Sequence, residues 1–219
     1  MFLIDDLIKL NIIKSPEIAE AFKIIRREDF LTEEGKAGAE IDAPIAIGYG
    51  QTNSQPTTVA MMLELLSPKH GERVLDVGCG SGWTTALLTE IVGGDKAEGG
   101  TASNGGKVYG LELICELAGF ARVNVEKYEF ITKGTAEVLC ADGYRGLPEH
   151  APFDKILVSA AAEKVPIELL RQLKTGGRMV IPVGRQFSGQ DMLVIGKINE
   201  DEFREKRIPG FVFVPLVKK

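Results

Sequence analysis

Apolar and polar positions follow two rhythms along this chain, and the rhythm changes near residue 67. Residues 3 to 30 repeat apolar positions every three or four places: Leu3, Leu7, Leu10 and Ile13, then Ile18, Ala21, Phe22 and Ile25. That spacing predicts two amphipathic helices. Ser15 offers a cap between them, with Pro16 at the first helical position and Glu17 in the first turn. Residues 31 to 50 keep no period and end in glycine-containing Ile47-Gly48-Tyr49-Gly50, so irregular backbone is expected. Helical spacing returns at Val59, Met62, Leu63 and Leu66, which predicts a helix over 54–66 with Ser54 as its cap.

From residue 73 onward, short apolar runs alternate with helical patterns. Strands are expected at 73–77, 108–112, 137–140, 153–159, 179–183, 192–198 and 203–213. Helices are expected after the first strand, over 114–128, and over 165–173, the last closed by Gly176-Gly177. This alternation predicts an α/β fold, a doubly wound and mostly parallel sheet with an N-terminal helical extension. One domain over 1–219 is expected, with 1–66 as the extension and 67–219 as the core. Residues 93 to 106 interrupt the pattern. Six of these fourteen are glycine and none is a large apolar residue, so a surface loop is expected.

Composition narrows the partners. Net charge is −5, with no basic footprint of the kind a duplex-binding protein carries. No apolar run approaches the ~18 residues of a membrane span, and the N-terminus lacks the basic start of a signal peptide. Neither nucleic acid nor membrane is an expected partner, and the cytoplasm is the expected compartment. Cys79, Cys115 and Cys140 fit no zinc spacing, so reduced thiols and no metal are expected.

The candidate chemistry centres on Arg73-Val-Leu-Asp76-Val-Gly78-Cys79-Gly80-Ser81-Gly82-Trp83, a strand, a glycine turn and a helix start. The dinucleotide fingerprint would put its third small residue at Trp83, where an indole blocks close helix packing. Asp76, two places before Gly78, would repel a pyrophosphate but could engage an ammonium group. S-adenosylmethionine (SAM) has such an ammonium and no phosphate. Glu112 closes the second strand, where an acid can accept from both ribose hydroxyls, with Leu113 next to it. Asp142-Gly143 lies at the same sheet edge. It could face the adenine amino group, and alone it is equally an ordinary Asp-Gly turn. Cys79 has no base near it in sequence and reads as a small filler. His70 and His150 both sit in loop-like surroundings.

These residues resemble a family. Asp76 to Gly82 is similar to motif I of class I SAM-dependent methyltransferases. Gly48-Tyr49-Gly50-Gln51-Thr52-Asn53-Ser54-Gln55-Pro56 resembles the G-Q-T-I-S-Q-P signature of protein-L-isoaspartate (D-aspartate) O-methyltransferases. Ala151-Pro152-Phe153-Asp154 resembles their A-P-F-D, Val180 to Gly184 their V-I-P-V-G, and Phe213 to Leu216 their F-V-P-L. Arg27 to Phe30 and Asp42-Ala43-Pro44 match their N-terminal part. Asn53 in place of the usual Ile, Ala141 in place of the first Gly of G-D-G, and the long 93–106 loop depart from it.

The resemblance implies a Rossmann-like fold and methyl transfer from SAM to the free carboxylate of L-isoaspartyl, and D-aspartyl, residues in damaged proteins and peptides. It implies Ser54, with Thr52 nearby, at the acceptor carboxylate. SAM would rest on Asp76, Gly78, Cys79, Gly80, Ser81, Gly82, Glu112, Leu113, Asp142 and Gly143. A carboxylate acceptor is ionised at neutral pH and needs no strong base. A monomer is the expected state. A methyltransferase for another acceptor, or a non-catalytic SAM- or peptide-binding module, are the competing readings.

Overall fold

The computed structural model describes residues 3–93, 105–185 and 189–218. Most of the expected glycine-rich loop, residues 94–104, lies outside them. The core is a seven-stranded sheet. Its strands are β3 (Arg73–Val77), β4 (Lys107–Glu112), β5 (Ala136–Cys140), β6 (Phe153–Val158), β7 (Leu173–Gly184), β8 (Gln190–Lys197) and β9 (Phe203–Phe211), in the order β5-β4-β3-β6-β7-β8-β9. The first five of these in spatial order pair in parallel; β7–β8 and β8–β9 are antiparallel. The chain leaves β3 toward β4 on one side and returns at β6 on the other. The order therefore reverses between β3 and β6, the place where open α/β sheets bind ligands beyond their strand C-termini.

Period-two alternation decides what each face buries. Val74, Val108, Val138, Leu157 and Val180 share one face, under α2 (Pro16–Ile24), α3 (Pro56–Leu66), α4 (Trp83–Gly93) and α5 (Cys115–Glu126). Leu75, Val77, Leu111, Ile156 and Met179 share the other, with Leu169 of the short α6 (Ile167–Gln172). α1 (Leu3–Lys9) packs against α2. Before α3, the segment expected to be irregular contains a two-stranded hairpin, β1 (Ile45–Gly48) and β2 (Gln51–Asn53). Its Ile47 is buried with Leu31, Ala39 and Leu117, which ties it to the main body.

Several local expectations are corrected. Ser54 does not cap α3; the helix starts at Pro56, and Asp42 takes the Thr57 amide (2.9 Å) and hydroxyl (2.6 Å) instead. Ser15 precedes α2 but donates its hydroxyl to Glu64 Oε2 rather than capping. Gly176-Gly177 do not close a helix. α6 ends at Gln172, and the two glycines sit inside β7, where its pairing with β6 slips register. A Cβ on Gly177 would stand 2.7 Å from the Lys174 carbonyl oxygen. The final strand ends at Phe211, not 213.

The thiol expectation is also overturned. Cys115 and Cys140 form a disulfide, with Cα atoms 4.9 Å apart and a sequence separation of 25. No spacing rule shows this pair. The parallel register does, because it sets Glu112 beside Cys140, and Cys115 opens the helix that follows Glu112. Only Cys79 is a free cysteine among the described residues. Closing a loop of this size constrains the unfolded chain by about 3 kcal/mol. Cys140→Ser, or thiol reduction, is expected to lower urea-unfolding stability by about that much. An unfolding midpoint unmoved by reductant would contradict the cross-link.

Candidate active site

The glycine turn after β3 is held by its backbone. The amides of Gly78 and Cys79 both donate to the Leu111 carbonyl at the end of β4, at 2.8 and 3.0 Å. Gly78, Gly80 and Gly82 all take positive φ, at 75°, 56° and 92°. Gly82 is the most constrained, since a Cβ there would lie 2.9 Å from Val125 Cγ2 and 3.1 Å from the Ala121 carbonyl of α5. A side chain at Gly82 would push the two helices apart.

Glu112 is buried at the C-terminal end of β4. Its two oxygens accept from the Gly80 amide (3.0 Å) and the Ile114 amide (3.0 Å). A carboxylate offers about four acceptor positions, so two stay available for a diol. Asp76 behaves differently. It shares the helix-covered face with Val74, fully buried, and its Oδ2 accepts from the hydroxyls of Thr84 and Thr85, each at 2.7 Å. It therefore sits behind the turn, holding Thr84, which lines the cavity. Its Oδ1 has no partner. Burial pushes the Asp76 carboxyl up to about 6, with Glu112 adding to the rise and the two threonines opposing it. Cys79 is buried and its thiol is pushed far up, chiefly by burial, so it is a neutral filler as its sequence context suggests.

Opposite the turn lies the hairpin segment, organised by Arg27. This arginine is only 7 % exposed. Its Nε donates to Asn53 Oδ1 at 2.8 Å; its two terminal nitrogens donate to the carbonyls of Ala39, Ile41, Ala43, Asn53 and Ser54 at 2.7 to 3.3 Å. Its guanidinium also stands 5.4 Å from the centre of the Trp83 ring, which packs edge-on against Phe22. Burial lowers its pKa to about 10, with Asp42 and Glu40 opposing, so it stays cationic at neutral pH. Asn53 is buried too and passes the connection on, its Nδ2 donating to Ser81 Oγ at 3.2 Å.

The two sides enclose a cavity of about 230 Å³ at the reversal point of the sheet. Thr52, Asn53 and Ser54 line one side; Gly78, Cys79, Gly80 and Ser81 line another; Glu112, Leu113, Ala141 and Gly143 complete the strand ends. Gly82 and Asp142 are not in this wall. Asp142 Oδ1 accepts from the Tyr144 amide at 2.9 Å, turning the backbone so that Gly143 sits against Val77, where a Cβ would come within 2.5 Å. Sequence reasoning missed Arg27, Asn53, Ser159 and the returning C-terminus as parts of the site. Val214 to Val217 line the cavity because Ala161 donates to the Val214 carbonyl and accepts from the Leu216 amide, both at 2.8 Å. Ser159 lines it with a buried hydroxyl that has no partner. The residues present suit SAM. They offer a turn without side chains, a carboxylate with acceptor positions to spare and an unpaired buried hydroxyl in one wall.

The Asp76 environment has a pH signature. The folded state holds a proton that the unfolded chain releases near the ordinary Asp pKa of ~4, so stability falls as pH rises from about 4 to about 6 and then levels. In the cofactor-free protein, Asp76→Asn is expected to gain on wild type by up to roughly 3 kcal/mol across that window, read by urea unfolding. A difference that does not change with pH would refute the burial cost assigned to Asp76.

Comparison with known proteins supplies the lineage. The family model described as protein-L-isoaspartate (D-aspartate) O-methyltransferase matches residues 2–219. A protein-L-isoaspartate O-methyltransferase of Aeropyrum pernix is 42% identical over 215 residues, 98% of this chain and 78% of the relative. One of Methanopyrus kandleri is 43% identical over 217 residues, 98% of this chain and 89% of the relative. A Plasmodium falciparum structure described as a protein-L-isoaspartate O-methyltransferase in complex with S-adenosyl-L-homocysteine superposes with a TM-score of 0.84 at 26% identity, covering 99% of this chain and 97% of that one. The chain belongs to the protein-L-isoaspartate (D-aspartate) O-methyltransferase family.

Proposed function

We propose that this chain is a SAM-dependent carboxyl methyltransferase that acts on L-isoaspartyl residues of damaged proteins and peptides. One observation carries the acceptor class. Among the described residues, the wall of the cavity contains no histidine or lysine, and its titratable groups are Cys79 and Glu112. Cys79 is held neutral by burial, and Glu112 is engaged by two amides. A hydroxyl or amine acceptor would have to lose a proton, and the wall offers no group to take it. An isoaspartyl carboxylate arrives already ionised. Family membership supports the isoaspartyl acceptor over other carboxylates.

SAM supplies the electrophilic methyl group. The chain supplies position and exclusion of water. Bare amides at Gly78–Ser81 and the carboxylate of Glu112 would hold the cofactor. Ser54, whose hydroxyl has no side-chain partner among the described residues, would donate to the acceptor carboxylate, with Thr52 at the exposed rim. Asp76 would act one step back, holding Thr84 and Thr85 and so the start of α4. The methyl ester formed is a better electrophile than a carboxylate, so the neighbouring backbone amide nitrogen can attack its carbonyl carbon, expel methoxide as methanol with the amide proton, and close to a succinimide without further help from the protein. We assign the activity to the cytoplasm, where no membrane span is needed, and among the described residues no helix is long and apolar enough to cross a membrane.

The test uses paired peptides and labelled SAM. Wild type is expected to methylate an isoaspartyl peptide and to leave its aspartyl twin unmodified. Ser54→Ala is expected to lose on the order of 10²-fold in kcat/KM while binding S-adenosylhomocysteine normally, as removal of one well-placed donor does. Equal labelling of the two peptides would overturn the isoaspartyl reading, and full activity of the mutant would remove Ser54 from the acceptor site.

A further inference from the structure

Asn53 connects by hydrogen bonds two segments that face each other across the cavity. On one side, Arg27 Nε can only donate, so it fixes which end of the Asn53 amide faces it: the oxygen, at 2.8 Å. The NH₂ end must then face the glycine turn, where it donates to Ser81 Oγ at 3.2 Å. That bond fills one acceptor position of the serine and turns its hydroxyl proton elsewhere. Ser81 is itself anchored, its carbonyl accepting from Asn124 Nδ2 at 3.1 Å. All the side chains in this series are buried: Arg27 is 7 %, Asn53 4 % and Ser81 2 % exposed. Buried polar groups of this kind lose much if one member is unpaired, so the series has one satisfied arrangement. Arg27 meanwhile holds the carbonyl of Ser54 at 3.0 Å. Apolar contact reinforces the link, because Ile47 of the hairpin lies over the turn, 3.3 Å from where a Cβ on Gly80 would stand.

We propose that Asn53 is a positioning residue that couples the two halves of the site, so that cofactor bound at the Ser81 turn orders the Ser54 segment for its acceptor. The proposal rests on the methyltransferase reading above for the identity of the acceptor, but the coupling itself is a property of Arg27, Asn53 and Ser81. It assigns a role to the position where this chain departs from the family signature. An isoleucine there could neither accept from Arg27 nor donate to Ser81.

Coupling of this kind is reciprocal between ligands, and typical values are about 5- to 150-fold in affinity. Asn53→Asp keeps an acceptor for Arg27 and removes the donor to Ser81. Ser81→Ala breaks the same bond from the other end. Amide hydrogen exchange is measured at Gln51–Ser54 with and without saturating S-adenosylhomocysteine, and the dissociation constant of S-adenosylhomocysteine is measured with and without an isoaspartyl peptide. In wild type the cofactor product is expected to slow exchange in this segment at least ~10-fold, and the peptide to tighten the product at least ~5-fold. In both variants each factor is expected to fall below about 2, while exchange at Gly78–Gly82 stays slowed. Slowing at Gln51–Ser54 that survives in either folded variant would overturn the proposal. A wild type that shows the exchange effect yet methylates no isoaspartyl peptide would leave the coupling standing and refute the acceptor instead.

Discussion

A single buried cation holds the acceptor side of this protein together. Arg27 carries its charge inside the fold without a carboxylate in direct hydrogen-bond contact, and five backbone carbonyls and one side-chain amide oxygen surround it. Those carbonyls belong to residues 39 to 54, a stretch with little regular structure. Short hairpins and loops seldom satisfy their own backbone when buried. Here the guanidinium supplies the donors, and the long segment takes one shape around it. The cost is visible in the lowered pKa of Arg27, which burial drives and Asp42 and Glu40 offset only in part. Removing the guanidinium leaves several buried carbonyls unpaired, each at a cost of about 1–3 kcal/mol.

The cofactor side obeys a different constraint, close approach of backbone. The positive φ values at Gly78, Gly80 and Gly82 let the chain reverse within a few residues. The reversal lets α4 lie against α5 and leaves amides free of side chains at the sheet's reversal point. Glu112 then draws Gly80 and Ile114 together, which joins the turn to the loop after β4. The disulfide from Cys115 to Cys140 fastens that loop to the next strand. The wall made in this way is cross-linked through backbone, carboxylate and disulfide, and positional catalysis depends on such fixed geometry.

Much of this was readable from residue order. Short apolar runs such as Val74-Leu75 and Ile156-Leu157-Val158 marked the strands, and the spacing of three glycines before Trp83 pointed away from dinucleotides. Other features depend on contacts between distant residues and left no local trace. Arg27 lies 26 residues from Asn53, and nothing in Arg27-Glu28-Asp29-Phe30 says that its side chain turns inward. The cap of α3 comes from Asp42, 15 residues away, so the nearest serine was the wrong choice. Asp76 is the instructive case. The alternation of side chains along β3 puts Asp76 on the face of Val74, toward α4, and Thr84 and Thr85 were eight and nine residues ahead to receive it.

The central claim is that Arg27 shapes the acceptor segment rather than merely stabilising the fold. Arg27→Lys keeps the charge and the stem but cannot reach six acceptors. Peptide KM and kcat, together with affinity for S-adenosylhomocysteine, test this directly. Peptide KM is expected to rise at least ~10-fold in the folded variant while affinity for S-adenosylhomocysteine in the absence of peptide changes less than about 3-fold. An unchanged peptide KM, with activity lost only in proportion to unfolded protein, would contradict it.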